Sequence, residues 1–284
     1  MNEITFNFQT FDGQTLFGRE WHPTEPPKAV AGLIHGLGEH SGRYAHLAER
    51  FNRERIALIA FDLRGHGRSE GKRGDSPSFE AYMQDLDAFQ RQIEERLEKV
   101  PRFFYGHSMG GLLVLNYLIR RKPQITGAIC SAAGLHTPLT QQKLKMALVN
   151  TLSRWLPQLA LPSGLDASAI SRDPEVVRRY KADPLIHSWV TLRMAQATIP
   201  AIEFVFRNAG EIRVPLLILH GTADRLTLPS GSEELARKVP QSKLVLFEGL
   251  AHELHNEPEK EEVFHTVLQW MNNLLANEKL HNRS

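Results

Sequence analysis

Two stretches of the chain fit the pattern Gly-x-Ser-x-Gly: Gly67-Arg68-Ser69-Glu70-Gly71 and Gly106-His107-Ser108-Met109-Gly110. Such a serine can attack a carbonyl carbon if a strand delivers it, a helix leads the chain away, and small flanking residues permit a sharp turn. Its hydroxyl then stands at a helix N-terminus, where the dipole favours developing negative charge. Only one stretch has those surroundings. Ser108 follows Arg102-Phe103-Phe104-Tyr105, a strand-like run, and precedes Gly111-Leu112-Leu113-Val114-Leu115-Asn116-Tyr117-Leu118, a buried-helix pattern. Ser69 is followed by Gly71, Gly74 and Pro77, which cannot open a helix. Ser108 is therefore the expected nucleophile and Ser69 a loop residue.

A serine needs a base, and the base needs an acid to orient it. With 13 histidines in the chain, no single one stands out by type alone. At a strand–turn–helix nucleophile the acid and then the base follow in chain order, each just past a late strand. Pro215–His220 runs into Gly221-Thr222-Ala223-Asp224, and Leu244–Glu248 runs into Gly249-Leu250-Ala251-His252. Asp224 is expected to hold the imidazole of His252, and His252 to take the Ser108 proton. His255 is the competing base; the plainer alternative is that Asp224 caps a turn and His252 lies on the surface. The oxyanion requires two fixed N–H donors. One is expected from Met109, which follows the nucleophile, and the other from Leu37 in the loop His35-Gly36-Leu37-Gly38. His35 itself reads as a buried, hydrogen-bonded scaffold residue.

These groups can converge only if the chain alternates strands with helices. Candidate strands are Ile4–Thr10, Leu16–Trp21, Val30–His35, Ile56–Phe61, Arg102–Gly106, Ile125–Ser131, Pro215–His220 and Leu244–Glu248. Asp12-Gly13 between the first two predicts a hairpin. The later runs are nearly all apolar, as parallel strands covered on both faces must be. Helical spacing recurs in Tyr44, Leu47, Ala48 and Phe51, in Phe79, Tyr82, Leu86, Phe89, Ile93 and Leu97, and from Val263 to Leu275. Pro258, Glu259, Glu261 and Glu262 suit the start of that last helix. The pattern predicts an α/β fold, a mostly parallel sheet of eight strands with helices on both faces.

The alternation lapses after His136. From 136 to 207 no strand is expected, and Pro157, Pro162, Pro174, Pro184 and Pro200 divide the segment into short helical pieces. Leu144, Leu148, Leu152, Trp155 and Leu159 form an apolar stripe at helical spacing. Nine Lys and Arg face five Asp and Glu here, so the segment is locally basic. It reads as a helical cap, residues 136–207, inserted into a core of residues 1–135 and 208–284. The alternative is a set of ordinary core helices.

Composition removes several function classes. A chain of 284 residues, 42% hydrophobic, can bury a full core without staples. A net charge of +2 gives no support for nucleic-acid binding. The lone cysteine, Cys130, excludes an intrachain disulfide and argues against a cysteine-based zinc site. No apolar run reaches the roughly 18 residues of a bilayer span, and the start MNEITFNFQTFDG lacks the pattern of a secretory signal. A cytoplasmic protein is expected, with peripheral membrane contact left open.

These motifs resemble the monoacylglycerol lipase family of α/β-hydrolases, which groups with lysophospholipases and serine aminopeptidase-like proteins. The resemblance is carried by His35-Gly36-Leu37-Gly38-Glu39-His40-Ser41-Gly42-Arg43-Tyr44, by Phe61-Asp62-Leu63-Arg64-Gly65-His66-Gly67-Arg68-Ser69-Glu70-Gly71 and by Gly106-His107-Ser108-Met109-Gly110-Gly111. It continues through Ala182-Asp183-Pro184-Leu185-Ile186, Gly221-Thr222-Ala223-Asp224-Arg225 and Glu248-Gly249-Leu250-Ala251-His252. It implies an α/β-hydrolase fold and no metal or organic cofactor. It also implies cleavage of long-chain monoacylglycerol to fatty acid and glycerol through an acyl-enzyme on Ser108. By position, Glu39, Arg43 and His255 would bind the glycerol end; the alternative makes Glu39 and Arg43 a surface ion pair and leaves His255 solvated. The cap would form an acyl tunnel and touch membranes. Thr227 and His187 stand where mammalian members can carry cysteines, so thiol sensitivity is not implied. Rival readings are a lysophospholipase or broad carboxylesterase, with Arg43 or the basic cap taking a phosphate, and a non-catalytic binding protein on the same scaffold.

Overall fold

The structure, a computed structural model, describes residues 2–137 and 149–281. An eight-stranded sheet forms the centre. Its strands are β1 (Asn2–Gln9), β2 (Thr15–His22), β3 (Ala29–Ile34), β4 (Ile56–Phe61), β5 (Arg102–His107), β6 (Gly127–Ser131), β9 (Leu216–Gly221) and β10 (Ser242–Phe247). They lie in the order β1-β2-β4-β3-β5-β6-β9-β10. All eight expected strands are present, with ends displaced by up to two residues. β1 and β2 form the hairpin expected at Asp12-Gly13, and Gly13 supplies the positive φ of 81° that the turn requires. β2 is antiparallel to β4, and every later neighbour pair is parallel.

β4 explains why the runs had to be apolar throughout. Ile56, Leu58 and Ala60 join one buried cluster, and Ala57, Ile59 and Phe61 the other. Alternate side chains point to opposite faces, and both faces are covered. On one side lie α1 (Ala45–Arg53) and α7 (Lys260–His281), through Leu47, Phe51, Val263, Phe264, Val267 and Met271. On the other lie α2 (Phe79–Arg96), α3 (Met109–Arg121) and α6 (Pro229–Lys238), through Tyr82, Phe89, Leu113, Ile119 and Leu235. Each large apolar side chain buried this way contributes about 1.5–3 kcal/mol. α2 starts where Ser78 accepts a hydrogen bond from the Ala81 N–H (3.1 Å). It is tied inward by Arg64, which is clamped between Asp85 (2.6 Å) and Asp12 (2.9 Å).

Between β6 and β9 the chain leaves the sheet. The described part of this insertion holds β7 (Ala160–Pro162), α4 (Pro174–Ala182), β8 (Trp189–Thr191) and α5 (Leu192–Asn208). Three expectations need correction. First, the insertion contains strands: β7 and β8 pair antiparallel as a short ribbon. Second, Pro200 does not end a helix but lies inside α5. One ladder hydrogen bond is lost there, while the Thr198 hydroxyl donates to the Met194 carbonyl (2.9 Å). Third, a boundary at residue 207 falls inside α5. This helix buries Met194, Ile202 and Val205 in the main core, and Asn116 of α3 reaches the Ala201 carbonyl (3.3 Å). The apolar stripe is also not uniformly buried. Leu152 is half-buried, and Trp155 and Leu159 are exposed. Leu144 and Leu148 lie outside the described residues.

Candidate active site

β5 ends at His107 and α3 begins at Met109, which leaves Ser108 as the whole of the turn. Its backbone has φ 52° and ψ −116°, a region that L residues seldom occupy. The flanking glycines allow this tightness. A Cβ on Gly106 would lie 2.5 Å from the Gly110 carbonyl oxygen, and one on Gly110 would lie 2.1 Å from that of Ile34. Three backbone bonds pin the turn. The Ser108 N–H donates to Ser131 (3.0 Å), and its carbonyl accepts from Leu112 (3.2 Å) and Gly134 (3.0 Å).

The structure brings together three of the residues singled out above. Ser108 Oγ lies 3.0 Å from His252 Nε2, and His252 Nδ1 lies 2.7 Å from Asp224 Oδ2. The acid thereby selects the tautomer: Nδ1 carries the proton and Nε2 is free to accept from the serine. Asp224 is itself held firmly. Oδ1 accepts the N–H groups of Leu226 (2.8 Å) and Thr227 (3.0 Å), and Oδ2 lies 2.8 Å from the Thr227 hydroxyl and 3.2 Å from His220 Nε2. Burial would raise its pKa, but the charges of His252 and His220 and their hydrogen bonds to the carboxylate hold it far below the usual carboxylate range. Burial likewise disfavours the His252 imidazolium. The charge and hydrogen bond of Asp224 outweigh that, so the His252 pKa stands above the ordinary imidazole value.

Ser69 is buried, accepts from the Phe17 N–H (2.9 Å) and donates to the Asp62 carbonyl (2.5 Å). It staples β2 to a loop and faces no base. His35 is the expected scaffold residue, with Nε2 accepting from Leu63 N–H (2.9 Å) and Nδ1 on the Gly36 carbonyl (2.7 Å).

The two expected oxyanion residues flank the serine. Met109 opens α3, so its N–H has no intrahelical acceptor. Gly36 packs against Ser108, its missing Cβ only 3.1 Å from the serine Cβ. Its N–H is taken by Glu39 Oε1 (2.6 Å), and Leu37 follows it along the wall of the site.

Glu39, Arg43 and His255 lie close by, but in unequal positions. Glu39 lines the void over Ser108; Arg43 and His255 do not. Glu39 is buried and accepts from Arg43 (2.8 Å) and the Tyr44 hydroxyl (2.8 Å). Burial pushes its pKa up, and Arg43 more than reverses this, lowering it to about 2. Arg43 also makes two bonds of 2.6 Å to Glu253 and lies under the Tyr180 ring, 4.8 Å from its centroid. Neither a surface ion pair nor a free guanidinium fits this arrangement. His255 is fully buried, stacked on Tyr44 at 4.5 Å and edge-on to His107 at 5.0 Å. A solvated His255 is therefore wrong, and His252 rather than His255 reaches the serine. Sequence reasoning missed Glu253. Its partner is 210 positions away, so no local spacing signals the pair.

The void over Ser108 measures only about 30 Å³, and Leu165, Ala167, Ile170 and Tyr180 of the insertion close it from above. That is room for a water molecule, not an acyl chain. Among the described residues no group of three or more His, Cys, Asp or Glu is arranged to hold a metal ion, and no helix is long and apolar enough to cross a membrane.

Residues 25–259 match the family described as serine aminopeptidase, S33. The chain is 36% identical over 283 residues to an uncharacterized abhydrolase domain-containing protein of Dictyostelium discoideum, covering 98% of this chain but 30% of that longer protein. It is 35% identical over 254 residues to the monoacylglycerol lipase of Mycolicibacterium smegmatis, covering 88% of this chain and 90% of the relative. Among solved structures it is similar to the monoacylglycerol lipase of Paleococcus ferrophilus, with TM-score 0.80 and 35% identity over 97% of this chain and 99% of that one. On these grounds the chain belongs to the monoacylglycerol lipase family of α/β-hydrolases, matches the serine aminopeptidase, S33, family over most of its length, and is a carboxylic ester hydrolase.

Proposed function

We propose that the protein hydrolyses long-chain monoacylglycerols to fatty acid and glycerol, with Ser108 as nucleophile, His252 as base and Asp224 as its orienting acid. The carrying observation is the unbroken relay from Ser108 Oγ through His252 to Asp224, at 3.0 and 2.7 Å. Ser108 attacks the ester carbonyl as its proton passes to His252 Nε2. The oxyanion is held by the Leu37 and Met109 N–H groups. His252 then protonates the departing glycerol oxygen. In the second half, water loses a proton to His252 and attacks the acyl-enzyme, which releases the fatty acid. Glu39, on the wall, is assigned to a glycerol hydroxyl; Arg43 holds it directly, and His255 supports it through the Tyr44 ring on which it stacks.

Residues 136 to about 190 are read as the cap, with α5 belonging to the core. The cap and the first turn of α5 rest on polar anchors. Asp75 accepts from Thr191 (2.7 Å) and Arg193 (2.7 Å), Glu257 from Ser171 (2.7 Å) and Arg172 (2.6 Å), and Asp183 pairs with His40 (2.9 Å). The cap also exposes Trp155 (82%), Leu156, Leu159, Leu161 and Trp189. Large apolar side chains exposed together on a basic segment suit contact with a lipid surface. Substrate enters when the cap lifts.

A panel of monoacyl-, diacyl- and triacylglycerols, a lysophospholipid and a peptide amide tests the reading, alongside covalent labelling by a fluorophosphonate. Labelling and a clear preference for monoacylglycerol are expected. Labelling without monoacylglycerol turnover would overturn the substrate, and no labelling would overturn the mechanism. Anionic vesicles at low salt should bind the protein, and Trp155→Asp should weaken that binding while hydrolysis of a soluble ester continues. Equal binding by both proteins would remove the cap from the lipid contact.

A further inference from the structure

Among the described residues Arg43 is the guanidinium behind the polar end of the site, and three of its five N–H groups are spent on carboxylates. Nη1 donates to Glu39 Oε2 (2.8 Å) and Glu253 Oε1 (2.6 Å), and Nη2 donates to Glu253 Oε2 (2.6 Å). Tyr180 covers one face of its plane. Glu253 is fixed further by its own N–H on the Ile170 carbonyl (2.7 Å) and by the Asn256 amide (2.8 Å). Two carboxylates thus flank one cation, and both acidic residues line the void while the cation does not. The other ionisable groups on that wall add no compensating charge. His107 is held neutral by burial and by His252, its pKa lowered to about 3, and His252 must be neutral to act as base. Arg225 stands outside the void, exposed and 3.9 Å from Asp166.

We infer that Glu253, by pairing with Arg43 and leaving one surplus negative charge at the polar wall, makes this site select uncharged alcohol headgroups and reject phosphate-bearing ones. The inference rests on the monoacylglycerol reading and sharpens it, because it sets the site against lysophospholipids that carry the same acyl ester. A phosphate here meets a carboxylate in a water-poor cleft, while the Nη1–Nη2 fork of Arg43 is already paired with Glu253.

The test compares 1-acylglycerol with 1-acylglycerol 3-phosphate of the same chain, in the full-length protein and in Glu253→Gln. The wild type should favour the neutral ester strongly. In the variant the ratio of the two kcat/KM values should shift toward the phosphate by on the order of 30-fold, the effect of removing one charge about 8 Å from another in a half-buried site. A ratio that stays put in a variant active on 1-acylglycerol overturns the inference alone. Inactivity of the wild type on both esters, with a p-nitrophenyl ester still cleaved, overturns the monoacylglycerol reading instead. Because Glu253→Gln can fail to fold, the wild type is also titrated with non-hydrolysable ether analogues. Inhibition by the alkylglycerol phosphate as tight as that by the alkylglycerol overturns the inference without any variant.

Discussion

Ser69 and Ser108 share one five-residue pattern and have opposite surroundings. The loop around Ser69 turns back on itself. Gly65 and Gly71 take positive φ, and the hydroxyl is consumed by two backbone groups of neighbouring segments. At Ser108 the serine itself takes the positive φ, the backbone is bonded on three sides, and the hydroxyl is left for a histidine. In the first case the side chain satisfies the backbone; in the second the backbone frees the side chain. A motif therefore reports chemistry only when the elements on either side can sustain the second arrangement.

The contrast is open to direct attack. Ser108→Ala should lose at least about 10⁴-fold in kcat and all fluorophosphonate labelling, with an unchanged circular-dichroism spectrum. Activity surviving in that variant would mean that the two serines have been assigned the wrong way round. Asp224→Asn should cost roughly 10⁴-fold as well, and it carries a second signature. His252 must be neutral to accept a proton, so kcat/KM falls as pH drops through its pKa, which Asp224 holds above the ordinary value. Without that carboxylate charge the acidic limb should move to lower pH. A limb that stays put would show that another group sets it.

Ser69→Ala should have the smallest effect, and of another kind. It strands the Asp62 carbonyl and the Phe17 N–H, at an expected loss of about 1–3 kcal/mol in unfolding free energy. Turnover per folded molecule should remain close to wild type. Urea denaturation beside active-site titration separates the two quantities. A drop in kcat with unchanged stability would give Ser69 a catalytic role that its hydrogen bonds do not explain.

What the chain revealed before folding follows the range of the forces involved. The eight sheet strands are local apolar runs punctuated by turn residues, and each was legible. So was the convergence of Ser108, Asp224 and His252, because each lies in the short loop that follows a strand end. The β7–β8 ribbon was not legible. Three residues give no alternation to read, β7 includes Pro162, and its partner lies near residue 190. Pro200 misled for a related reason. Propensity counts the lost hydrogen bond, whereas the burial of Met194, Ile202 and Val205 decides the outcome. The Arg43–Glu253 pair spans the chain, and no spacing rule links Tyr44's neighbour to the residue after His252.

The backbone of Ser108 has an evolutionary corollary. A residue with a Cβ at φ 52° and ψ −116° carries steric strain of roughly 1–3 kcal/mol, which a glycine would largely escape. Ser108→Gly is thus a substitution that selection for thermal robustness alone would favour and selection for turnover would forbid. Only the proposed reaction calls for the hydroxyl, so the strain at this turn serves turnover and not the fold. A library at this position screened for heat resistance should therefore return glycine, and one screened for turnover should return serine.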